Sequence, residues 1–367
     1  MKPILRVLAL LLVAASAHAH KASDAYLSLT VDGARVSGRW DIALRDLELA
    51  VGLDANADGA ISWGELREQR AAIDAYALSH LRISASDSPC RARIASHQVD
   101  RHTDGAYAVL ALDATCASAR DIALEYDLLF ALDPQHRGLL RTSHGGSASS
   151  AVLSPAAPRF ALTEPASTWR TLNDFLREGV WHIWIGIDHV LFLLCLLLPA
   201  VVRREAGRWR AVESARAAAL DVLRVVTAFT LAHSITLALA ALDVVALPSR
   251  WVESAIAASI VLAALDNLRP FLRAPRWAIA FGFGLVHGLG FASVLIDLGL
   301  PAGARTLALV AFNAGVELGQ LAIVAAFLPL ALALRRSALY PRFALAGGSL
   351  AVAALASVWL WERAVGA

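Results

Sequence analysis

Beyond Gly179 the chain carries six apolar stretches, each bounded by charge and long enough to cross a bilayer, and few folds can absorb that pattern. They run from Gly179 to Val202, Leu220 to Ala246, Ser249 to Leu268, Trp277 to Leu298, Thr306 to Leu330 and Phe343 to Trp361. In hydrocarbon every backbone N–H and C=O must find its partner within the chain, so such stretches read as helices. They account for a composition that is 57% hydrophobic and 17% charged, with mean hydropathy +0.56. Residues 20–170, by contrast, have the mixed composition of a water-soluble domain. The expectation is an all-α bundle of six transmembrane helices, residues 179–367, preceded by a small β-rich exported domain. The net charge of +2 and the lack of a basic cluster in the soluble part give no reason to expect nucleic acid as a partner.

Arginines orient the bundle. Arg203, Arg204, Arg208, Arg210 and Arg216 follow the first stretch, Arg269, Arg273 and Arg276 the third, and Arg335, Arg336 and Arg342 the fifth. The loops after the second and fourth carry few basic residues, so the odd-numbered loops are expected in the cytoplasm. The N-terminus agrees independently. Lys2 and Arg6 precede the apolar run Val7–Ala15, which ends at Ala17-His18-Ala19, an A-x-A cleavage site. Residues 1–19 therefore read as a signal peptide, placing the domain outside a bacterial cytoplasmic membrane, with the C-terminus on the same side. Cleavage leaves His20 first, either an incidental product of processing or a chelating terminus for copper or nickel.

In the exported domain, residues 20–160, period-two alternation predicts strands over Ala25–Val31, Arg35–Ala43, Ala106–Leu112 and Ile122–Leu132. Helical sequence from Leu44 to about Leu81 interrupts them. Gly145 to Ser150, followed by Pro155 and Pro158, reads as linker sequence, with 161–178 leading into the first span. Cys90 and Cys116 are near strand ends in an oxidising compartment, which predicts a disulfide, while Cys195 reads as a buried hydrophobe. Within the helical insertion, Asp54 to Glu65 matches an EF-hand loop. Asp54, Asn56 and Asp58 stand at positions 1, 3 and 5, with Gly59 at the sharp turn. Ala60 offers its carbonyl at 7, Ser62 stands at 9, and Glu65 supplies a bidentate carboxylate at 12. Bound calcium, stabilising rather than signalling, is the expected cofactor.

Histidines inside the apolar stretches carry the chemistry. His182, His189, His233 and His287 lie there with Asp188, Asn313 and Glu317. An ionisable group at bilayer depth costs roughly 2.5–3.5 kcal/mol, so repeated use implies a role. Counted inward, His189, His233, His287 and Glu317 come to about one level. Asn313, Glu317 and Gln320 share a helix face. His182 and His189 also share a face, but on a continuous helix they would be roughly 10 Å apart along the axis. Either the helix opens near Gly186, or the two are successive stations on a path. Glu253, Asp243 and Asp297 near the outer ends, and Asp266-Asn267 near an inner end, extend the polar line. Imidazoles and carboxylates suit a divalent transition metal. Gly282, Gly284, Gly288 and Gly290 read as close-packing residues, or as a break beside His287.

His182-Ile183-Trp184-Ile185-Gly186-Ile187-Asp188-His189 is similar to the H-P-x-x-G-x-D-H signature of the HupE/UreJ family of nickel permease-like proteins, with Ile183 in place of proline. The segments Phe229–Leu237, Gly282–Ser293 and Asn313–Gln320 also resemble that family. The exported domain beginning at His20-Lys21-Ala22-Ser23-Asp24 resembles its extended branch. The resemblance implies uptake of nickel or cobalt, with His182, Asp188 and His189 handling the ion. The expected partners are therefore the lipid bilayer and a divalent ion, with room for an unidentified periplasmic partner. Two other readings stay open: an intramembrane metal-dependent hydrolase assisted by Ser234, and a non-transporting assembly or sensor protein.

Overall fold

The computed structural model describes residues 23–102, 105–145, 147–163, 168–205, 208–242, 244–245, 247–290 and 302–365. The expected signal segment 1–19, His20, Asp243 and Asp297 lie outside them. Two compact units divide the chain, one built on the strands up to Asp174 and the other on residues 175–290 and 306–365.

Alternation builds the first unit. In β1 (Asp24–Asp32), Ala25, Leu27, Leu29 and Val31 are buried while Ser28 and Thr30 face out. β2 (Arg35–Ala43) pairs with it antiparallel. The helical insertion comes next as α1 (Leu44–Val51), α2 (Trp63–Glu68) and α3 (Arg70–Ser79). Then come β3 (Leu81–Ala85), β4 (Ser88–Pro89), β5 (Arg91–His102), β6 (Gly105–Thr115), β7 (Ile122–Tyr126), β8 (Arg137–His144), β9 (Ser147–Leu153) and β10 (Arg159–Ala161). A six-stranded sheet has the order β5-β6-β2-β1-β8-β9, with β1 and β8 parallel, and a four-stranded sheet the order β10-β7-β3-β4. Trp40, Leu110, Leu124 and Tyr126 from both sheets, with Leu47 and Ile73 from the helices, form one buried core.

Two sequence expectations are corrected here. Pairing of the Ile122 segment stops at Tyr126: Asp127 N donates to His80 O at 3.1 Å, and Leu129 turns the chain at φ +61 with Leu128 and Leu129 packed inward. Gly145 to Ser150 is not a linker. Gly145, at φ +57, makes a hairpin turn, and β9 pairs antiparallel with β8. Its small serines and alanines give no periodic signal, and Ala151, Val152 and Leu153 are buried in succession. Cys90 and Cys116 are joined between the start of β5 and the end of β6, with Cα atoms 4.3 Å apart.

A buried polar chain crosses the first unit. Ser23 Oγ donates to Asp46 Oδ2 at 2.9 Å, so it accepts from His136 Nδ1 at 2.6 Å. His136 Nε2 then accepts from the Tyr126 hydroxyl at 2.6 Å. His136 is fully buried, and that burial, with Arg137 beside it, lowers its pKa to about 3.

The second unit is helical. α4 (Thr168–Ile185) and α5 (Ile187–Leu197) flank Gly186, so helix begins before Gly179, inside the expected linker. A 3₁₀ turn (Leu198–Val201) and the hairpin β11 (Val202–Glu205) and β12 (Arg208–Ala211) lead to α6 (Ala215–Ala241). α7 (Ser249–Leu268), α8 (Arg276–His287), α9 (Ala302–Leu334), a π-helical stretch (Tyr340–Gly347) and α10 (Gly348–Val365) complete it. Among the described residues, four helices are long and apolar enough to cross a membrane: Ala215–Ala241, Ser249–Leu268, Arg305–Leu334 and Tyr340–Val365. The pair Thr171–Ile185 and Ile187–Val201, bent by 72°, makes a fifth when counted as one span. α8 has 12 described residues, about 18 Å of helix, short of a bilayer core. The remainder of that expected span, residues 291–301, lies outside the described residues.

Candidate metal centre

Gly186 decides the geometry of the centre. The broken pair turns through 72° there, without the proline of the family signature, and this brings His182 and His189 to a ring separation of 4.5 Å. A continuous helix would have kept them roughly 10 Å apart along its axis. A Cβ at Gly186 would sit 2.6 Å from His189 Nδ1 and 2.8 Å from His182 O, so only glycine lets the two segments close. Of the two arrangements open in the sequence, the helix opens.

Close helix contact brings the other histidines in. A Cβ at Gly284 would meet Phe229 O at 2.5 Å, and one at Gly288 would collide with His233 O and Thr236 Oγ1, so α8 lies directly against α6. His287 and His233 thereby join the cluster. The ring of His189 is 5.4 Å from that of His287, and the ring of His182 is 6.4 Å from that of His233. Phe192, Phe229 and Phe312 pack around them. His233, His287 and His189 are 0%, 1% and 8% exposed, so none is open to bulk water.

Hydrogen bonds then assign the protons. Asp188 Oδ1 accepts from His189 N at 2.9 Å and from His189 Nδ1 at 3.0 Å. Asn313 Nδ2 donates to Leu309 O at 2.8 Å, which turns Oδ1 toward His233 Nδ1 at 3.2 Å as an acceptor. Ser259 Oγ has one proton and donates it to Ile256 O at 2.7 Å, so it accepts from His287 Nε2 at 2.9 Å. Each of these three rings spends its N–H on a fixed oxygen. The opposite nitrogens, His189 Nε2, His233 Nε2 and His287 Nδ1, carry lone pairs that are buried with no hydrogen-bond partner. That is the arrangement of metal-ligating histidines, whose second nitrogen is held by an outer oxygen. Among the described residues, however, no three His, Cys, Asp or Glu side chains converge closely enough in this conformation to hold one ion.

Other sequence candidates lie elsewhere. Glu317 is half-buried and accepts from Thr227 Oγ1 at 2.8 Å, not from an imidazole. Gln320 is buried, and beside it the space lined by Phe192, Phe229 and His189 measures about 10 Å³, room for no more than one water. Asn267 bridges Cys195 O and Ser349 Oγ, and Asp266 Oδ1 accepts from Phe271 N and Leu272 N, so both serve the structure. Glu253 accepts from Ser249 Oγ at 2.5 Å. Ser234 Oγ donates to Thr230 O at 2.7 Å, an ordinary intrahelical bond that leaves it unaimed as a nucleophile's helper. Two contributors escaped the sequence reading. Ser259 is one hydroxyl in an apolar helix, indistinguishable there from interhelical glue. Arg363, whose Nη2 is 3.7 Å from Asp188 Oδ2, reads in sequence as a terminal charge.

In the first unit, Asp54 to Glu65 joins α1 to α2. Gly52 caps α1 at φ +75, and Gly59 turns at φ +82. Asp54 Oδ2 accepts from Gly59 N at 2.9 Å, Asn56 Oδ1 from Asp58 N at 2.8 Å, and Asp58 Oδ1 from Ala60 N at 2.9 Å, folding the side chains back over the loop. Ser62 and Glu65 form a capping box for α2. Glu65 Oε2 accepts from Ser62 N and Oγ, bonds that hold its pKa below the usual carboxylate range, while Oε1 is buried without a hydrogen-bond partner.

No curated protein matches the chain. The family model described as HupE / UreJ protein matches residues 159–363, more than half of the sequence and all of the centre formed by the four histidines. The chain belongs to the HupE/UreJ family.

Proposed function

We propose that the protein is a permease for a divalent transition-metal ion, nickel or cobalt, which His189, His233 and His287 carry through the helical unit with Asp188. The observation that supports this is the trio of buried imidazoles whose N–H groups are spent on Asp188, Asn313 and Ser259 and whose lone pairs have no protein partner. Neutral imidazole suits nickel, cobalt, copper and zinc, and no thiolate cluster is present in the sequence to favour soft Cu(I). Separated rings suit conduction, which needs ligands that bind and release, better than a closed cage does. His182 acts as the entry station beside His189, and Glu317 flanks the path from its bond to Thr227.

In the same reading six spans hold the chain in a bacterial cytoplasmic membrane, with the N-terminal unit outside, cleaved from its signal peptide. The loop from Asp54 to Glu65 binds calcium through Asp54, Asn56, Asp58, the Ala60 carbonyl, Ser62 and Glu65, and stabilises that unit. The deciding experiment is radiolabelled nickel and cobalt uptake by cells expressing wild type, His189→Ala, Asp188→Ala and His182→Ala. The first two variants abolish uptake with membrane insertion intact, and His182→Ala weakens apparent affinity more than maximal rate. Equal uptake by wild type and His189→Ala refutes the permease reading, as does wild-type uptake no greater than that of empty vector.

A further inference from the structure

Asp188 faces two ways. Its Oδ1 is committed to the backbone and ring of His189. Its Oδ2 faces Arg363 Nη2 at 3.7 Å, near enough to neutralise the carboxylate but too long for a hydrogen bond. Arg363 is not positioned by Asp188 alone. Its Nη1 donates to Glu253 O at 3.2 Å, and its guanidinium lies 5.9 Å from the centre of the Trp359 ring, one turn earlier on α10. Arg250 at the start of α7 donates to Ala364 O in turn. The last turn of α10 is thus clamped to the first turns of α7, and the clamp aims a fixed positive charge at the one Asp188 oxygen that remains for an ion.

Resting on the metal-handling reading above, we infer that Arg363 is a resident counter-cation for Asp188, which an arriving divalent ion has to displace. With the ion absent, a carboxylate among apolar helices needs a positive neighbour, and Arg363 supplies it. With a doubly charged ion held by His189 and Asp188, the guanidinium becomes a like charge a few ångströms away where screening is weak. Its side chain is only 15% exposed but sits at a helix end, and its long apolar stem lets the head swing toward water. Withdrawal gives up the Glu253 carbonyl and the Trp359 ring together, so loading the centre loosens the end of α10. Arg363 therefore sets the affinity of the site and couples its occupancy to a helix terminus. A purely structural clamp would do neither.

Nickel binding to the detergent-purified full chain tests this, measured by equilibrium dialysis with hydrogen exchange of residues 359–365 alongside. Arg363→Gln should tighten nickel binding roughly tenfold, the low end of a typical coupling between two ligands. Arg363→Lys, which keeps the charge, should remain close to wild type. In an Asp188→Asn background the Arg363→Gln change should make a smaller difference, since ion and guanidinium no longer compete for that carboxylate and only their mutual repulsion remains. Nickel should speed exchange at the end of α10 in wild type, while Arg363→Gln exchanges fast with or without it. Should Arg363→Gln fail to insert, the wild-type exchange measurement decides alone: slower or unchanged exchange on adding nickel overturns the proposal. Wild-type binding that Arg363→Gln leaves unchanged or weakens also overturns it, with the metal reading intact. No nickel binding by wild type removes both.

Discussion

Ser259→Ala removes one oxygen and leaves a buried imidazole proton without its acceptor. The Ser259 hydroxyl accepts from His287 Nε2 at 2.9 Å, and His287 is 1% exposed, so bulk water does not reach it. A buried N–H left without an acceptor costs about 1–3 kcal/mol. The ring escapes that cost by moving its proton to Nδ1, but this consumes the lone pair offered to the ion. Either outcome damages the ligand, and loss of an outer-shell partner typically lowers metal affinity about 10–100-fold. That corresponds to about 1.4–2.7 kcal/mol. The assay is nickel uptake against concentration, with equilibrium binding to the purified protein beside it. Ser259→Ala should raise the apparent KM by that factor while membrane insertion stays normal, and Ser259→Thr, which keeps the hydroxyl, should stay within a few-fold of wild type. If Ser259→Ala binds nickel as wild type does while His287→Ala abolishes uptake, the proton assignment is wrong. If both bind as wild type does, His287 is not a ligand.

On the calcium reading of the loop in the first unit, calcium at a hundredfold excess over Kd should add about 2.7 kcal/mol of stability, and Glu65→Ala, which removes the proposed bidentate ligand, should erase most of it. A melting temperature indifferent to calcium would show the loop to be vestigial. Reducing the disulfide between Cys90 and Cys116, separated by 26 residues, should cost about 3.5 kcal/mol by chain entropy, read from denaturant unfolding with and without reductant; equal midpoints would count against it. His136 should make the same unit acid-sensitive. Its folded pKa of about 3 lies below the unfolded value of about 6.5, so the unfolded chain binds the extra proton. Its contribution is therefore complete above pH 6.5 and lost as pH falls from there toward 3. Stability unchanged between pH 7 and 5 would refute the assignment of a buried neutral imidazole.

Joining α4 and α5 as one broken span also gives the centre a helix N-terminus inside the bundle. Asp188 stands in the first turn of α5, where the helix dipole favours negative charge. The carboxylate is thus held by the dipole, by His189 and by Arg363 together. Interrupted helices with free backbone groups at membrane depth are a recurring way to build ion sites. Here the interruption rests on a glycine, and Ile183, which stands in place of the signature proline, is buried.

By itself the sequence determined what depends on local pattern. Strands were legible at β1, β2 and β6, although burial alternates only in the second half of β1, and long apolar runs marked the helices, because side-chain pattern and hydrophobic length act within a few residues of each other. Of the four glycines, Gly284 and Gly288 meet the close packing that their spacing suggested, a Cβ at Gly282 would meet nothing, and the helix ends at His287. The HupE/UreJ signature around Gly186 was also visible in the chain. Tertiary structure alone decided the rest. Whether Gly186 broke the helix depended on how nearly His182 and His189 approach when α4 and α5 fold back. Asn313 and Glu317 lie on one face and look equivalent in sequence, yet one turns to His233 and the other to Thr227. Ser259 and Arg363 gained their roles only when α7 and α10 brought them to partners 28 and 175 residues away. A proton's place on an imidazole is set by whichever oxygen lies within about 3 Å of the ring, and that neighbour is chosen by packing between distant segments.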